Sequence, residues 1–423
     1  MLLSYLVRSI RLFISNSEVA MSTVRNLVFG LLSFAFFLLV LGNVSLSHLS
    51  GDSLPDKSYL EGKTYQELPE ISVSSVGSGT FQDESEAYLS DHFPHRDGVV
   101  IYNAAIQRKC IELGNTVFGF KVYPTFFGSS TLYAPQYGLV VDAPKSKNSY
   151  NSDEVESAIE SWSQFISTHD DARWCFAMVD RTTTTEASPA YGLIADPAGY
   201  SYFHSMMQES FPDSCSLPDL SYRDTDEYLQ NYYSTDHHWR IQGAVKGCDE
   251  VLKALGKGSI VVDEYVMAYE GPFYGSAVRY GLSPVASDSV YDIKYDIGNL
   301  TATVNGENES LSAINDSLAD DYTGFSKRFK YQNVYADYFH TDWEVLDYEN
   351  SDAPDGRLLI IGDSYTNCID RVFAQAYRNV RVIDPRHYEG DLGECIESFC
   401  PDDIVVLMGV NNIIADVTVE KLK

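Results

Sequence analysis

The chain has 423 residues, 44% of them hydrophobic, enough to build one large core or two smaller ones. Its 30 Lys and Arg stand against 60 Asp and Glu, for a net charge of −30. With no basic stripe to offset that excess, a nucleic-acid partner is not expected.

From Asn26 to Gly51 the chain carries none of Lys, Arg, Asp or Glu, and Leu27 to Leu41 is almost purely apolar. A helix rises about 1.5 Å per residue, so roughly 20 residues span the hydrocarbon of a bilayer. Residues 27–47 therefore read as a single transmembrane anchor. A cleaved signal peptide is the alternative, but Leu46-Ser47-His48 is a poor cleavage site. Arg8, Arg11 and Arg25 precede the run, opposed only by Glu18. Positive charge stays on the cytoplasmic side, so the C-terminal bulk is expected outside the cell membrane. Residues 1–26 then form a cytoplasmic N-terminus, or an over-long start preceding Met21.

Residues 48–85, rich in Ser, Gly, Pro and Glu, read as a stalk, and residues 86–423 as the extracytoplasmic domain. Helices are predicted over Gly98–Leu113, Ser152–Ser167, Tyr200–Phe211 and Ile241–Leu255, and short strands between Val117 and Val141. Arg173 to Asp180 reads as a buried strand. Residues 257–350 break the helix–strand alternation. Val290–Tyr295 and Leu300–Val304 alternate at period two ahead of the turn-forming Asn305-Gly306, so this segment is expected to be a β-rich insertion. Beyond it come a strand at Leu358–Ile361, a helix at Ile369–Tyr377, a strand at Val380–Ile383, a short helix near Glu394 and a strand at Ile404–Met408. This alternation predicts an α/β fold with a doubly wound, mostly parallel sheet, whose functional residues gather at the C-terminal ends of the strands. The seven cysteines form no C-x-x-C pair, which favours scattered buried thiols; Cys395 and Cys400 are close enough in sequence to bridge.

Two segments far apart carry reactive groups. Ser364 follows strand 358–361 across Gly362-Asp363 and is expected at a helix start, where unpaired N–H groups and the dipole would favour an oxyanion. In Thr235-Asp236-His237-His238-Trp239, extended geometry would put Asp236 and His238 on one face. Asp236 can then orient His238, which takes the serine proton. His237 is the alternative base. The plainer alternative makes Asp363 or Ser364 a helix cap and the histidines a packed turn. Asn411, Arg386 and Asn367 are the oxyanion or substrate candidates. A zinc or manganese site built on Asp236, His237 and His238 with His340 or Asp342 is a weaker alternative, because neighbouring histidines diverge. No metal or cofactor is expected.

The Gly362-Asp363-Ser364 turn resembles the nucleophile block of SGNH hydrolases, and Gly409-Val410-Asn411 resembles their Gly-x-Asn block. Asp236-His237-His238-Trp239 looks like the signature of the DHHW family, which is similar to the SGNH-like alginate O-acetyltransferases AlgJ and AlgX. Phe93-Pro94-His95-Arg96 and Asp384-Pro385-Arg386-His387-Tyr388 also look like family features. The resemblance covers roughly residues 80–415. It implies an SGNH-hydrolase-like fold, Ser364 as nucleophile, His238 as base and Asp236 as its orienting acid. It implies acetyl transfer to an envelope polysaccharide or exopolysaccharide, and a membrane-bound O-acyltransferase partner that supplies acetyl groups. A carbohydrate esterase with the same triad, or a non-catalytic polysaccharide-binding scaffold, are the other readings.

Overall fold

The computed structural model describes residue 42 and residues 56–93, 95–309, 330–339 and 342–422. The expected transmembrane run lies outside these apart from Gly42, as does His340. Among the described residues no helix is long and apolar enough to cross a membrane. The chain divides into two units, Met1–Tyr102 and Asn103–Lys423.

In the first unit a small hairpin pairs Lys57–Ser58 with Lys63–Thr64, and helix α1 (Thr80–Asp91) follows. The buried Asp91 carboxylate at the end of α1 accepts from Lys63 Nζ at 2.6 Å and from the Gln66 N–H at 3.0 Å. This charged anchor ties the hairpin to the helix.

The remaining chain begins in α2 (Arg96–Phe118) and a small sheet containing β1 (Thr131–Ala134) and β2 (Leu139–Asp142). Then come α3 (Ser152–Thr168), β3 (Arg173–Val179), α4 (Tyr200–Ser210), β4 (Cys215–Ser216), α5 (Thr225–Asn231) and α6 (Ile241–Ala254). Strands β5 (Glu264–Phe273) and β6 (Asp288–Lys294) form a ribbon around the one-turn helix α7 (Ser276–Tyr280). Next are β7 (Leu300–Val304), β8 (Glu307–Glu309), α8 (Val334–Tyr338), β9 (Val345–Asn350), β10 (Arg357–Gly362), β11 (Asn379–Ile383), α9 (Leu392–Phe399), β12 (Asp403–Gly409) and α10 (Val410–Ile413).

Eight strands form the main sheet in the order β8-β7-β9-β11-β10-β12-β3-β4. From β11 to β4 every pairing is parallel, and the three strands on the other side of β11 are antiparallel. The predicted α/β class with a parallel-rich sheet is therefore present. The β-rich segment only partly stands apart: β5 and β6 make their own ribbon, while β7, β8 and β9 extend the main sheet. Asn305 and Gly306 both have positive φ, 48° and 83°, as the two-residue hairpin between β7 and β8 requires.

The central strands are long apolar runs because both faces are covered. Leu358, Ile360, Val405 and Leu407 face a core built with Val251 and Leu252 of α6. Leu359, Ile361, Ile404 and Val406 face Trp162 of α3, Phe203 of α4 and Phe399 of α9. Burying each such large side chain contributes about 1.5–3 kcal/mol. The register matches Gly362 with Leu407 and Gly409 with Val179, so β10, β12 and β3 end at one edge.

The helix expected at Ile369–Tyr377 is instead a turn followed by a 3₁₀ stretch, Asp370–Gln375. Thr366 turns its hydroxyl onto the Asp363 carbonyl at 2.9 Å, and the Thr366 N–H donates to that same oxygen at 2.8 Å. This side-chain bond competes with a regular helical start. Ser364 thus sits in a turn, and the expected support from an α-helix dipole is absent there.

Candidate active site

The Ser364 turn and the Asp236 loop meet at the edge where β10 ends. The Nε2 atom of His238 lies 2.8 Å from Ser364 Oγ, and its Nδ1 lies 2.6 Å from Asp236 Oδ1. Facing a carboxylate, Nδ1 carries the proton, which leaves the Nε2 lone pair to accept the Ser364 hydroxyl. The three residues singled out in sequence are brought together in the order a proton relay needs.

Their local geometry differs from the extended arrangement expected. The loop is bent, and Asp236 Oδ1 also accepts the His238 N–H at 3.1 Å. This side-chain-to-backbone turn, rather than strand alternation, puts carboxylate and imidazole side by side. Asp236 Oδ2 accepts the Ser276 N–H from α7 at 2.6 Å. Burial pushes the Asp236 carboxyl up, but the two neighbouring imidazoles and the bonds from His238 and Ser276 outweigh it. The group titrates well below the usual carboxylate range.

His237, the alternative base, is held away from this role. Its Nδ1 lies 2.7 Å from Ser276 Oγ. Burial, reinforced by repulsion from His238, keeps its proton affinity well below the ordinary value. The carboxylate of Asp236 and the two imidazoles are close enough to hold a metal ion. The relay and Ser276, however, occupy both nitrogens of His238 and the Nδ1 of His237.

Two further hydrogen bonds stitch the two segments together, and a third ties the serine turn to α8. Trp239 Nε1–H donates to the Tyr365 carbonyl at 2.9 Å. The Tyr365 hydroxyl donates back to the His237 carbonyl at 2.8 Å. The Tyr335 hydroxyl, on α8, donates to the Ser364 carbonyl at 3.0 Å. The Tyr335 ring also lies flat on His238, with centroids 3.9 Å apart and planes within 7°. Such stacking fixes the imidazole plane toward Ser364.

The ribbon β5–β6 supplies a second layer of support. Asp288, at the start of β6, accepts from the N–H groups of Ser234 and Thr235, from the Thr235 hydroxyl and from Arg240. Gly275, just ahead of α7, passes so close that a Cβ there would lie 2.4 Å from both Asp236 Cβ and the Thr235 oxygen. Gly275→Ala is expected to force the Asp236 loop aside, costing about 1–3 kcal/mol in thermal unfolding along with activity. Unchanged melting and turnover would contradict this packing.

The oxyanion and substrate candidates are placed differently from the triad. Asn412, not Asn411, reaches the turn: its Nδ2 donates to Asp363 Oδ2 at 2.7 Å, alongside the Gly409 N–H at 3.0 Å. Asn411 Oδ1 is buried without a partner. The helical turn after β12 begins one residue later than a strand-end reading assumes, which shifts the inward position from Asn411 to Asn412. Asn367 Nδ2 donates to Asp342 at 2.9 Å. Arg386 pairs with Asp384 and with Asp342, at 2.5 and 2.9 Å. Asp342, Asp384 and His387 cluster closely enough for a cation, but the Arg386 guanidinium bridges the two carboxylates. All seven cysteines are free thiols, including Cys395 and Cys400.

Sequence reasoning left out Tyr335, Tyr365, Ser276, Gly275 and Asp288. Among 30 tyrosines nothing marked these two. The one available signal was Trp239, whose place beside the histidines suggested a packed turn.

No family model and no curated protein matches the chain. Solved structures do. A DHHW family protein from Eubacterium siraeum superposes with TM-score 0.54 at 15% identity, over 69% of this chain and 94% of that one. The chain shares the fold of that DHHW family protein. PatB1 from Bacillus cereus, solved with a sulfonyl adduct, matches with TM-score 0.50 at 19% identity, over 66% of this chain and 97% of that one. The O-acetyltransferase domain of Pseudomonas putida AlgJ matches with TM-score 0.37 at 12% identity, over 70% of this chain and 96% of that one. Within this shared fold, the Asp-His-His-Trp loop and the serine turn meet at one edge of the sheet.

Proposed function

We propose that this protein is an acyl-transfer enzyme that O-acetylates a cell-envelope polysaccharide or exopolysaccharide through an acetyl-serine at Ser364. The observation that carries the reading is the unbroken line from Asp236 through His238 to Ser364, at 2.6 and 2.8 Å. Ser364 Oγ attacks the acetyl carbonyl carbon while its proton passes to His238 Nε2. Asp236 holds the imidazole in place and stabilises the positive charge that forms. The tetrahedral intermediate collapses, the donor's leaving group takes the proton from His238, and acetyl stays on Ser364. An acceptor hydroxyl then gives its proton to His238 and attacks the acetyl carbon. Collapse returns the proton to Ser364 Oγ. Because Tyr365 and Thr366 direct their N–H groups at Asp363, the Ser364 N–H is the donor this turn offers the oxyanion.

The same reading places residues 27–47 in the membrane as a single-pass anchor, with the catalytic unit outside. It also calls for a membrane-bound O-acyltransferase as the source of acetyl groups. The apolar run and the arginines before it support the first point; the need for an activated acetyl group outside the cytoplasm supports the second.

The test is covalent. Full-length protein in detergent, treated with 4-nitrophenyl acetate, is expected to gain one acetyl group on the peptide that bears Ser364. Added oligosaccharide should speed release of nitrophenol, since a sugar hydroxyl then competes with water. Acetyl mapped to another residue would sink the assignment, and turnover indifferent to sugar would favour an esterase.

A further inference from the structure

Arg181 leaves the C-terminal end of β3, at the edge where β10 and β12 also end. Its Cδ lies 3.5 Å from the Cβ position of Gly409, which is itself 3.2 Å from the Tyr365 ring and 3.8 Å from Asp363 Oδ2. The half-buried arginine is thus wedged beside the serine turn.

No ion pair answers its charge: burial opposes it, and Tyr365, Asp363 and Asp142 offset that only from a distance. Three other cations near the site have carboxylate partners, Arg240 with Asp288, Arg386 with Asp342 and Asp384, and Arg371 with Asp292, whereas the buried Arg279 of α7 has no ion pair among the described residues. Arg181 has no carboxylate within ion-pair distance among the described residues, although the chain has twice as many acids as bases. Its Nε is buried with no hydrogen-bond partner. The nearby carboxylates are otherwise engaged or displaced. Asp363 spends Oδ1 on the Tyr365 N–H and Oδ2 on Gly409 and Asn412. Asp142, which also feels the Arg181 charge, is pushed up by burial toward its neutral form. An unpaired guanidinium in such surroundings is costly unless a ligand completes it. Its planar fork matches two coplanar oxygens.

We propose that Arg181 is the specificity residue of this site and takes an anionic substituent, a carboxylate or a phosphate, on the saccharide acceptor. This rests on the acyl-transfer reading for the word acceptor, but not for the anion subsite itself. The ring carrying that substituent lies against the Gly409 and Tyr365 side of the Ser364 turn, so its hydroxyl approaches from the β3 edge.

Binding separates the two claims. Full-length Ser364→Ala protein in detergent, which cannot turn over through this serine, is titrated calorimetrically with methyl glucoside, methyl glucuronide and glucose 6-phosphate. Both anionic sugars, or one of them, should bind about tenfold or more tighter than the neutral one. The arm that does so identifies the substituent. Arg181→Gln should bring the anion-to-neutral ratio to about one, and Arg181→Lys should restore part of it. A ratio unchanged by Arg181→Gln overturns the proposal, and so does equal or undetectable binding of all three sugars. Loss of acetyl labelling at Ser364 in the parent protein, with an Arg181-dependent ratio intact, would retire the transferase reading and leave the subsite standing.

Discussion

Replacing Asp236 by Asn is expected to lower turnover about 10⁴-fold while leaving the fold in place, by analogy with the same change in a serine-protease triad. The side chain keeps its shape, but its amide can present N–H where His238 needs an acceptor. The imidazole then carries its proton on Nε2, facing Ser364, and can no longer accept the hydroxyl proton. The readout is the rate of nitrophenol release per molecule, with circular dichroism to confirm folding. A loss under tenfold would mean that Asp236 does not hold the tautomer. The substitution carries a second, independent signature. The folded-state affinity of Asp236 for protons is depressed. Its stabilising contribution is therefore complete above the unfolded carboxyl value, about 3.9, and fades as pH falls below it. Acid unfolding profiles of parent and variant should diverge above about pH 4 and converge below.

Removing the buried Asp292 carboxylate is expected to cost about 3–5 kcal/mol of stability. Arg371 is 2% exposed and places its Nη2 2.6 Å from Asp292 Oδ1. The Tyr338 hydroxyl donates to Asp292 Oδ2 at 3.0 Å. Asp292→Ala leaves a guanidinium buried without its carboxylate, the costly half of a broken pair. Tyr338 also belongs to α8, the short helix that lays Tyr335 on His238, so the damage should extend to the site and lower activity. A double variant, Asp292→Leu with Arg371→Met, replaces the pair with apolar groups and should recover most of the stability. Chemical denaturation of the three proteins tests both halves. If the single variant loses under 1 kcal/mol, the pair is not an anchor of this fold.

The legible parts of this protein were those whose signal is local. Strands β3, β10 and β12 stand out because both faces are buried, which writes an unbroken apolar run into the sequence. Ser364, His238 and Asp236 stood out because reactive groups sit inside short segments with few other tasks. The stretch after Ser364 misled because Ile369, Val372 and Phe373 look helical. Its geometry is set by the Thr366 hydroxyl and by Asp370 and Arg371, both turned inward to distant partners. Asn411 and Asn412 differ by one position, and only the turn that follows β12 decides which reaches Asp363. Asp288, Gly275, Ser276 and Tyr335 are beyond local reading, since each acts on a loop 29 to 54 residues away in sequence.

The bond from the Gly409 N–H to Asp363 has a temporal side. The serine turn is braced by a strand made some forty-six residues after it. Its imidazole neighbour, His238, comes from a loop synthesised long before. Until β12 is made, the turn that carries Ser364 lacks the Gly409 N–H and the Asn412 amide that hold the Asp363 carboxylate.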